Sequence, residues 1–236
     1  MKRILLKLSG EFLKNETSLW DTEKVNAVID QLKRLHDEGF QLALVVGGGN
    51  IFRGGRNGFD LERCIADEIG MAATCVNALF LRACFQKVGL DVVIFGTSLC
   101  GGSIEAFDLQ RARQALSDGT IVLFAGGTGH AFFSTDTAAA LRACEIKADL
   151  LLKATDVDGI FNKDPKRFSD AERFERLTYK EACEGHYAVM DACAFELCRA
   201  QQMPLFVFNA NRPNAIYEAA HGQGLGTRVG EENVAI

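Results

Sequence analysis

Four catalytic signatures are missing from this chain of 236 residues: there is no Gly-Lys pair, no Gly-x-Ser-x-Gly elbow, no His-Glu-x-x-His helix and no Cys-x-x-Cys pair. Without Gly-Lys there is no P-loop, whose lysine follows a glycine to reach the phosphates. The serine elbow and the histidine helix mark the common hydrolases, which fall away with them. A dinucleotide fingerprint fails too, since Gly47-x-Gly49 meets Phe52 at its sixth place and Gly127-x-Gly129 meets Phe132. The eight cysteines lie mostly among alanine, leucine and valine, and the four histidines neither pair at helical spacing nor cluster with them. That reads as buried or partly buried thiols in a reducing compartment, with no metal ligands assigned.

Positive charge is also in short supply. At a net charge of −5 the chain has no broad basic face, and nucleic-acid binders draw most of their affinity from neutralising phosphates. No apolar run nears the roughly 20 residues needed to cross a bilayer. Met1-Lys2-Arg3-Ile4 leads straight into a strand, with no long apolar leader. A cytoplasmic protein with neither membrane nor nucleic acid as partner is expected.

What the chain does have is glycine at the ends of apolar runs. Ile4-Leu5-Leu6 empties into Lys7-Leu8-Ser9-Gly10-Glu11, Val45-Val46 into Gly47-Gly48-Gly49-Asn50 with Phe52-Arg53-Gly54 behind, and Ile121–Phe124 into Ala125-Gly126-Gly127-Thr128-Gly129. Glycine lets successive N–H groups converge on an anion, and arginine adds a planar charged fork. In a parallel sheet such loops gather at the carboxyl ends of the strands, where open α/β folds bind ligands. One crevice lined by three anion-binding loops is the expectation.

Strand and helix patterns alternate along the chain, predicting a mostly parallel sheet with helices on both faces. Asp21 or Thr22 caps a helix whose apolar positions are Val25, Val28, Ile29, Leu32 and Leu35, and Gly39 ends it. Further helices are predicted over 61–88, with Gly70 as a break or a close contact, and over 105–116, 135–147 and 190–201. Strands are predicted over 40–46, 91–95, 120–124, 149–152 and 205–208. Residues 156–177, rich in charge and turn formers, read as a binding loop or lid. No repeat, low-complexity tract or flexible linker divides the chain.

Six stretches in order carry a resemblance: Lys7–Glu11, Gly47–Gly54, Asp67-Glu68-Ile69-Gly70-Met71, Gly127-Thr128-Gly129 with Phe132-Phe133-Ser134-Thr135-Asp136, Lys153-Ala154-Thr155-Asp156-Val157-Asp158-Gly159, and Asp164-Pro165. Together they resemble the amino acid kinase superfamily and, within it, the bacterial UMP kinases, over nearly the whole chain. The resemblance implies a three-layer α/β/α sandwich with a mostly parallel central sheet, an amino acid kinase-like fold in one domain over 1–236. Its acceptor part would span about 1–150 and its ATP part about 151–236. It also implies ATP-dependent phosphorylation of UMP to UDP with Mg²⁺, in pyrimidine nucleotide biosynthesis, by a homohexamer. Carried over position by position, Lys7, Leu8, Ser9, Gly10, Gly49, Arg53, Thr155, Phe161 and Asp164 would line the ATP side. Gly48, Asp67, Thr128, Gly129, His130, Ala131, Phe132, Phe133, Ser134 and Thr135 would line the UMP side. Relatives commonly carry Asn-Pro where this chain has His130-Ala131, and Gly-Phe-Gly-Ile-Asp where it has Ser18-Leu19-Trp20-Asp21-Thr22.

The catalytic set expected from these residues is Lys7, Arg53, Asp136 and Lys153. Phosphoryl transfer needs positioning and charge stabilisation more than proton chemistry. Lys7 is assigned to the ATP β/γ-phosphates, Arg53 to a phosphate clamp and Lys153 to the transferring group. Asp136 orients the lysines rather than acting as a base, because the attacking phosphate oxygen already carries charge. Asp67 is expected to accept from ribose hydroxyls, and at least one of Phe132 and Phe133 to lie in the core.

Overall fold

The structure, a computed structural model, describes residues 2–53, 60–97, 101–185, 187 and 189–231. The readings that fall on Gly54 and the rest of 54–59, on Cys100 and on His186 lie outside these residues.

Its centre is a nine-stranded sheet, as expected mostly parallel. In chain order the strands are β1 (Arg3–Leu8), β2 (Gln41–Val46), β3 (Val92–Gly96), β4 (Glu105–Ala106), β5 (Ile121–Ala125), β6 (Leu150–Thr155), β7 (Arg176–Leu177), β8 (Leu205–Asn209) and β9 (Gly226–Val229). They lie in the order β4-β3-β5-β2-β1-β6-β8-β9-β7, and among the described residues β8 and β9 form the one antiparallel strand pair. β1 is central, flanked in parallel by β2 and β6. Strands covered on both faces read as nearly unbroken apolar runs, as these do.

The helices are α1 (Gly10–Leu13), α2 (Thr22–Asp37), α3 (Arg63–Lys87), α4 (Leu109–Ser117), α5 (Thr135–Glu145), α6 (Tyr179–Glu184), α7 (Ala192–Gln201) and α8 (Ala215–Ala220). One apolar layer joins α2, α3 and α8 to the sheet; the other joins α4, α5, α6 and α7 to its opposite face. This is the three-layer sandwich implied by the resemblance. Asp21 caps α2 by accepting from the Glu23 and Lys24 amides, and Gly39 takes up a left-handed φ of 86° just beyond its end.

Two expectations change, and one open alternative is settled. α3 runs unbroken through Gly70, which instead takes a close contact: a Cβ on Gly48 would lie 2.7 Å from the Gly70 carbonyl. The predicted 105–116 helix opens as the short strand β4, and Asp108 caps the helix that follows. By length and composition α3 is apolar enough to span a bilayer, with a mean hydropathy of 1.5 in its most apolar stretch. Alanine, cysteine and methionine raise that mean, and Cys75, Ala78, Leu81 and Phe85 turn one face of the helix into the core.

Candidate active site

Successive side chains of a strand point to opposite faces. In β1, Ile4, Leu6 and Leu8 enter the α2–α3 layer, while Leu5 enters the α5 layer and Lys7 follows it. β6 repeats the pattern, with Leu150, Leu152 and Ala154 on one face and Leu151 and then Lys153 on the other. The parallel register sets Lys7 directly beside Lys153. Two lysines thereby leave neighbouring strand ends toward the same face.

Asp136 meets them there. It sits in the first turn of α5, a favourable place for an anion, where Ser134 caps the helix by accepting from the Asp136 amide at 2.9 Å. Asp136 Oδ1 lies 2.6 Å from Lys7 Nζ and 2.5 Å from Lys153 Nζ, with only 14% of the carboxylate side chain and 8% of each lysine exposed. Burial alone would push the Asp136 carboxyl up, but the two ammonium groups outweigh it and hold the carboxyl below its ordinary range. Burial, and then the Lys7 charge, push Lys153 down to about 7, although Asp136 opposes the change. With Lys153 close to its midpoint at neutral pH, the lysines and Asp136 carry between zero and one net positive charge, and an arriving polyphosphate favours the fully charged form.

The glycine loops leave β1, β2 and β5 at the same edge of the sheet as this triad. A Cβ on Gly10 would lie 2.6 Å from each of Asn50 Oδ1, the Gly47 carbonyl and the Gly49 amide, so the first two loops interlock because residue 10 has no side chain. Arg53 reaches back over Gly49, and Glu11 Oε1 holds its Nε at 2.9 Å. Glu11 was read only as part of a motif; its role comes from tertiary contact. Ser9 accepts from the Glu11 amide at 3.2 Å, and Leu8 supplies a carbonyl to the Gly47 amide at 2.9 Å.

The third loop turns on Gly126, Gly127 and Gly129, all at positive φ. Thr74 Oγ1 accepts from the Gly126 amide at 2.8 Å, and Thr128 Oγ1 accepts from the His130 amide at 3.2 Å. Beyond Ala131, Phe132 and Phe133 are 66% and 49% exposed, against the expectation that one of them is core. The turn at Phe132 throws both rings outward. Phe132 has a left-handed φ of 72°, and its amide donates to Asp67 Oδ2 at 2.8 Å. Asp67 also takes Arg63 Nε at 2.8 and 2.9 Å. Here it fastens the loop to α3, a contact its position in a motif did not announce. Asp191, missed as a site residue, anchors the loop's far end by accepting from Ser134 Oγ and, at 2.8 Å, from Thr137 Oγ1. Its signal was available, since it stands as a cap just before α7.

Thr155, Phe161 and Asp164 lie along the chain leaving β6. Thr155 Oγ1 accepts from the Val157 amide at 3.2 Å, Phe161 bridges to Arg173, and Asp164 Oδ1 accepts from the Lys166 amide at 2.9 Å. Two clamps pin this segment. Arg212 grips Asp158 with two hydrogen bonds of 2.7 Å, and Thr227 Oγ1 accepts from the Ile160 amide at 2.8 Å. Gly159, at φ 135°, leaves the room Thr227 needs.

The amino acid kinase family matches residues 2–209 of the chain, and the chain belongs to that family. Its relatives include uridylate kinases. A uridylate kinase of Francisella tularensis subsp. holarctica is 44% identical over 97% of this chain and 93% of its own. Among solved structures, a UMP kinase from Ureaplasma parvum has a TM-score of 0.92 at 32% identity, covering 98% of this chain and 99% of the other. One from Bacillus anthracis reaches 0.93 at 32% identity, with 98% and 96% covered. The resemblance to bacterial UMP kinases is borne out, and the chain is an enzyme of that branch.

Proposed function

We propose that the chain transfers the γ-phosphoryl group of ATP to UMP, giving UDP and ADP. The observation that carries this is the Lys7–Asp136–Lys153 triad at the mouth of interlocked glycine loops. An oxygen of the UMP phosphate attacks the γ-phosphorus, the bond to the β–γ bridging oxygen breaks, and ADP leaves with that electron pair. No proton has to be removed first, so the site needs no general base. Lys7 and Lys153 draw charge from the transferring group and the leaving oxygens, while Asp136 keeps the two ammonium groups together and aimed. Arg53 and the amides of Gly48 and Gly49 hold oxygens that move least, as donors fixed in advance of the reaction.

The two nucleotides divide the chain in this reading. ATP is held by Lys7 to Gly10, Gly49, Arg53 and the Thr155–Asp164 segment, with UMP over Gly48, Asp67 and Thr128 to Thr135. In this reading residues 1–150 hold the acceptor together with the donor's phosphates, while 151–236 serve the donor.

No group of three or more His, Cys, Asp and Glu side chains suited to a metal occurs among the described residues. That donor set does not cage a cation, but it fits a Mg²⁺ that arrives on the phosphates and keeps several waters. Asp136 is the residue placed to orient such a water. The ion would neutralise charge on the bridging oxygens.

Self-association, implied as a homohexamer, has a surface to use. Ile65, Ile69 and Val76 on one face of α3 are 45%, 38% and 45% exposed. An exposed apolar stripe of this kind could pair with its copy about a twofold axis. Ile69→Lys should shift the particle mass in sedimentation to a smaller species, and an unchanged mass would remove α3 from the interface.

The kinase reading is tested by UDP formation from UMP and MgATP, with CMP and magnesium-free controls, in wild type and Lys7→Ala. Magnesium-dependent UDP that is lost in the variant supports it. Tight nucleotide binding without turnover in the wild type overturns it.

A further inference from the structure

The Gly47–Asn50 loop is held from behind by side chains that carry no motif. Asn77, fully buried on α3, donates from Nδ2 to the Gly47 carbonyl and to Asn50 Oδ1, each at 2.7 Å. Its Oδ1 accepts from Trp20 Nε1 at 2.9 Å and from Asn50 Nδ2 at 3.1 Å. The amide has one orientation only, since indole N–H can only donate and a carbonyl can only accept. Asn50 Nδ2 also donates to the Leu19 carbonyl at 3.0 Å. The Trp20 ring stacks on Phe80 with centroids 4.4 Å apart.

We propose that Asn77 is a positioning residue for phosphoryl transfer, and that Trp20 acts through it to tie the connection between α1 and α2 to the phosphate-holding loop. The inference rests on the kinase reading, in which the Gly48 and Gly49 amides meet phosphate oxygens. Amides contribute to a transition state when they are fixed beforehand, and a displacement of 1 Å costs about a hundredfold in rate. Within the loop the Gly48 carbonyl accepts from the Ile51 and Phe52 amides at 3.0 Å each, but three successive glycines still tolerate many conformations at the amides that would meet phosphate. Asn77 supplies the restraint by gripping the carbonyl of the first glycine and the side chain of the residue after the third. Trp20 in turn keeps Asn77 from rotating.

The chain has a single tryptophan, so its emission reports on this relay alone. The test pairs calorimetric binding of ADP and of UMP with Trp20 emission, and adds steady-state kinetics of Asn77→Ala and Trp20→Phe. Binding of the phosphate-bearing nucleotides should shift or quench the emission in wild type. Asn77→Ala should lower kcat by about 30- to 100-fold with KM for both substrates within about threefold, and its emission should no longer respond to binding. Trp20→Phe keeps a ring on Phe80 and loses only the donor, so kcat should fall by about three- to tenfold. If Asn77→Ala does not fold, the wild-type titration and Trp20→Phe decide the matter by themselves. Calorimetric binding with unchanged emission, or wild-type turnover in Trp20→Phe, overturns the proposal. Absence of any nucleotide binding would overturn the kinase reading, and this inference with it.

Discussion

The Gly47–Asn50 and Gly126–Phe133 loops are built in opposite ways. Gly47–Asn50 is gripped by Gly10 and its neighbours, by the α3 backbone at Gly70 and by the Asn77 amide. The Gly126–Phe133 loop is fastened at its root by Thr74 and Thr97, while at its tip it leans on Asp67 and exposes two aromatic rings. A loop that must hold phosphate oxygens gains from rigidity fixed in advance. One that must admit a substrate and close on it gains from a few bonds that can open. The same residue type, glycine, serves close approach in the first loop and left-handed turns in the second.

The largest change should come from the rigid side. Asp136→Ala leaves Lys7 buried without its counter-ion and drives Lys153 further toward its neutral form, and breaking such a buried pair costs about 3–5 kcal/mol. Chemical denaturation should show a loss of that size and kinetics a loss of turnover; a stability close to wild type would mean that the lysines move apart at little cost. Gly10→Ala comes next. Its Cβ would press into Asn50, Gly47 and Gly49, and overpacking of this kind costs about 1–3 kcal/mol. Gly70→Ala is the control, because nothing lies within 4 Å of its Cβ. In a helix it should leave stability unchanged or raised by up to about 1 kcal/mol.

Protonation gives a third way to sharpen the contrast. The Lys153 pKa falls from 10.5 to about 7 in the folded chain without nucleotide. Between those values the unfolded chain binds the extra proton, so this group makes stability rise with pH across that window. An incoming polyphosphate favours the ammonium form, and ATP binding at pH 8 should therefore take up close to one proton, about 0.5–1. Calorimetry in two buffers of different ionisation enthalpy measures the uptake. Lys153→Met should abolish it.

The rigid side was also the more legible in the sequence. β1, β2, β5, β6 and β8 are apolar runs ending in glycine, lysine or polar residues, and α2 and α5 carry clear caps, so their periods survive burial. β4 and β7 are two residues long and α1 and α6 span a turn or so, too short for any period to register. β9 joins β8 antiparallel after an alternation that pointed only to parallel pairing. Lys7, Asp136 and Lys153 were named in advance, and the structure brings them together. Glu11, Arg63, Asn77 and Asp191 were not, because each acts on a loop that only the folded chain brings near it. The exposure of Phe132 and Phe133 was misjudged for the same reason, since a left-handed residue between glycine and serine cannot be read from ring chemistry.

Phe132 provides the smallest effect and the finest test of the flexible loop. A phenylalanine at φ 72° carries about 1–2 kcal/mol of strain relative to ordinary backbone. Glycine would remove that strain. With the ring two-thirds exposed, little burial is lost in exchange, although the unfolded chain gains freedom that offsets part of the benefit. Phe132→Gly should therefore be about 0.5–1 kcal/mol more stable in denaturant titrations. Strain kept in place at that cost calls for a use. If the ring walls the acceptor pocket, KM for UMP should rise several-fold while KM for ATP stays unchanged. A stabilised variant with both KM values intact would show that the turn serves only to bring the Phe132 amide to Asp67, and that the aromatic ring above it is dispensable to binding.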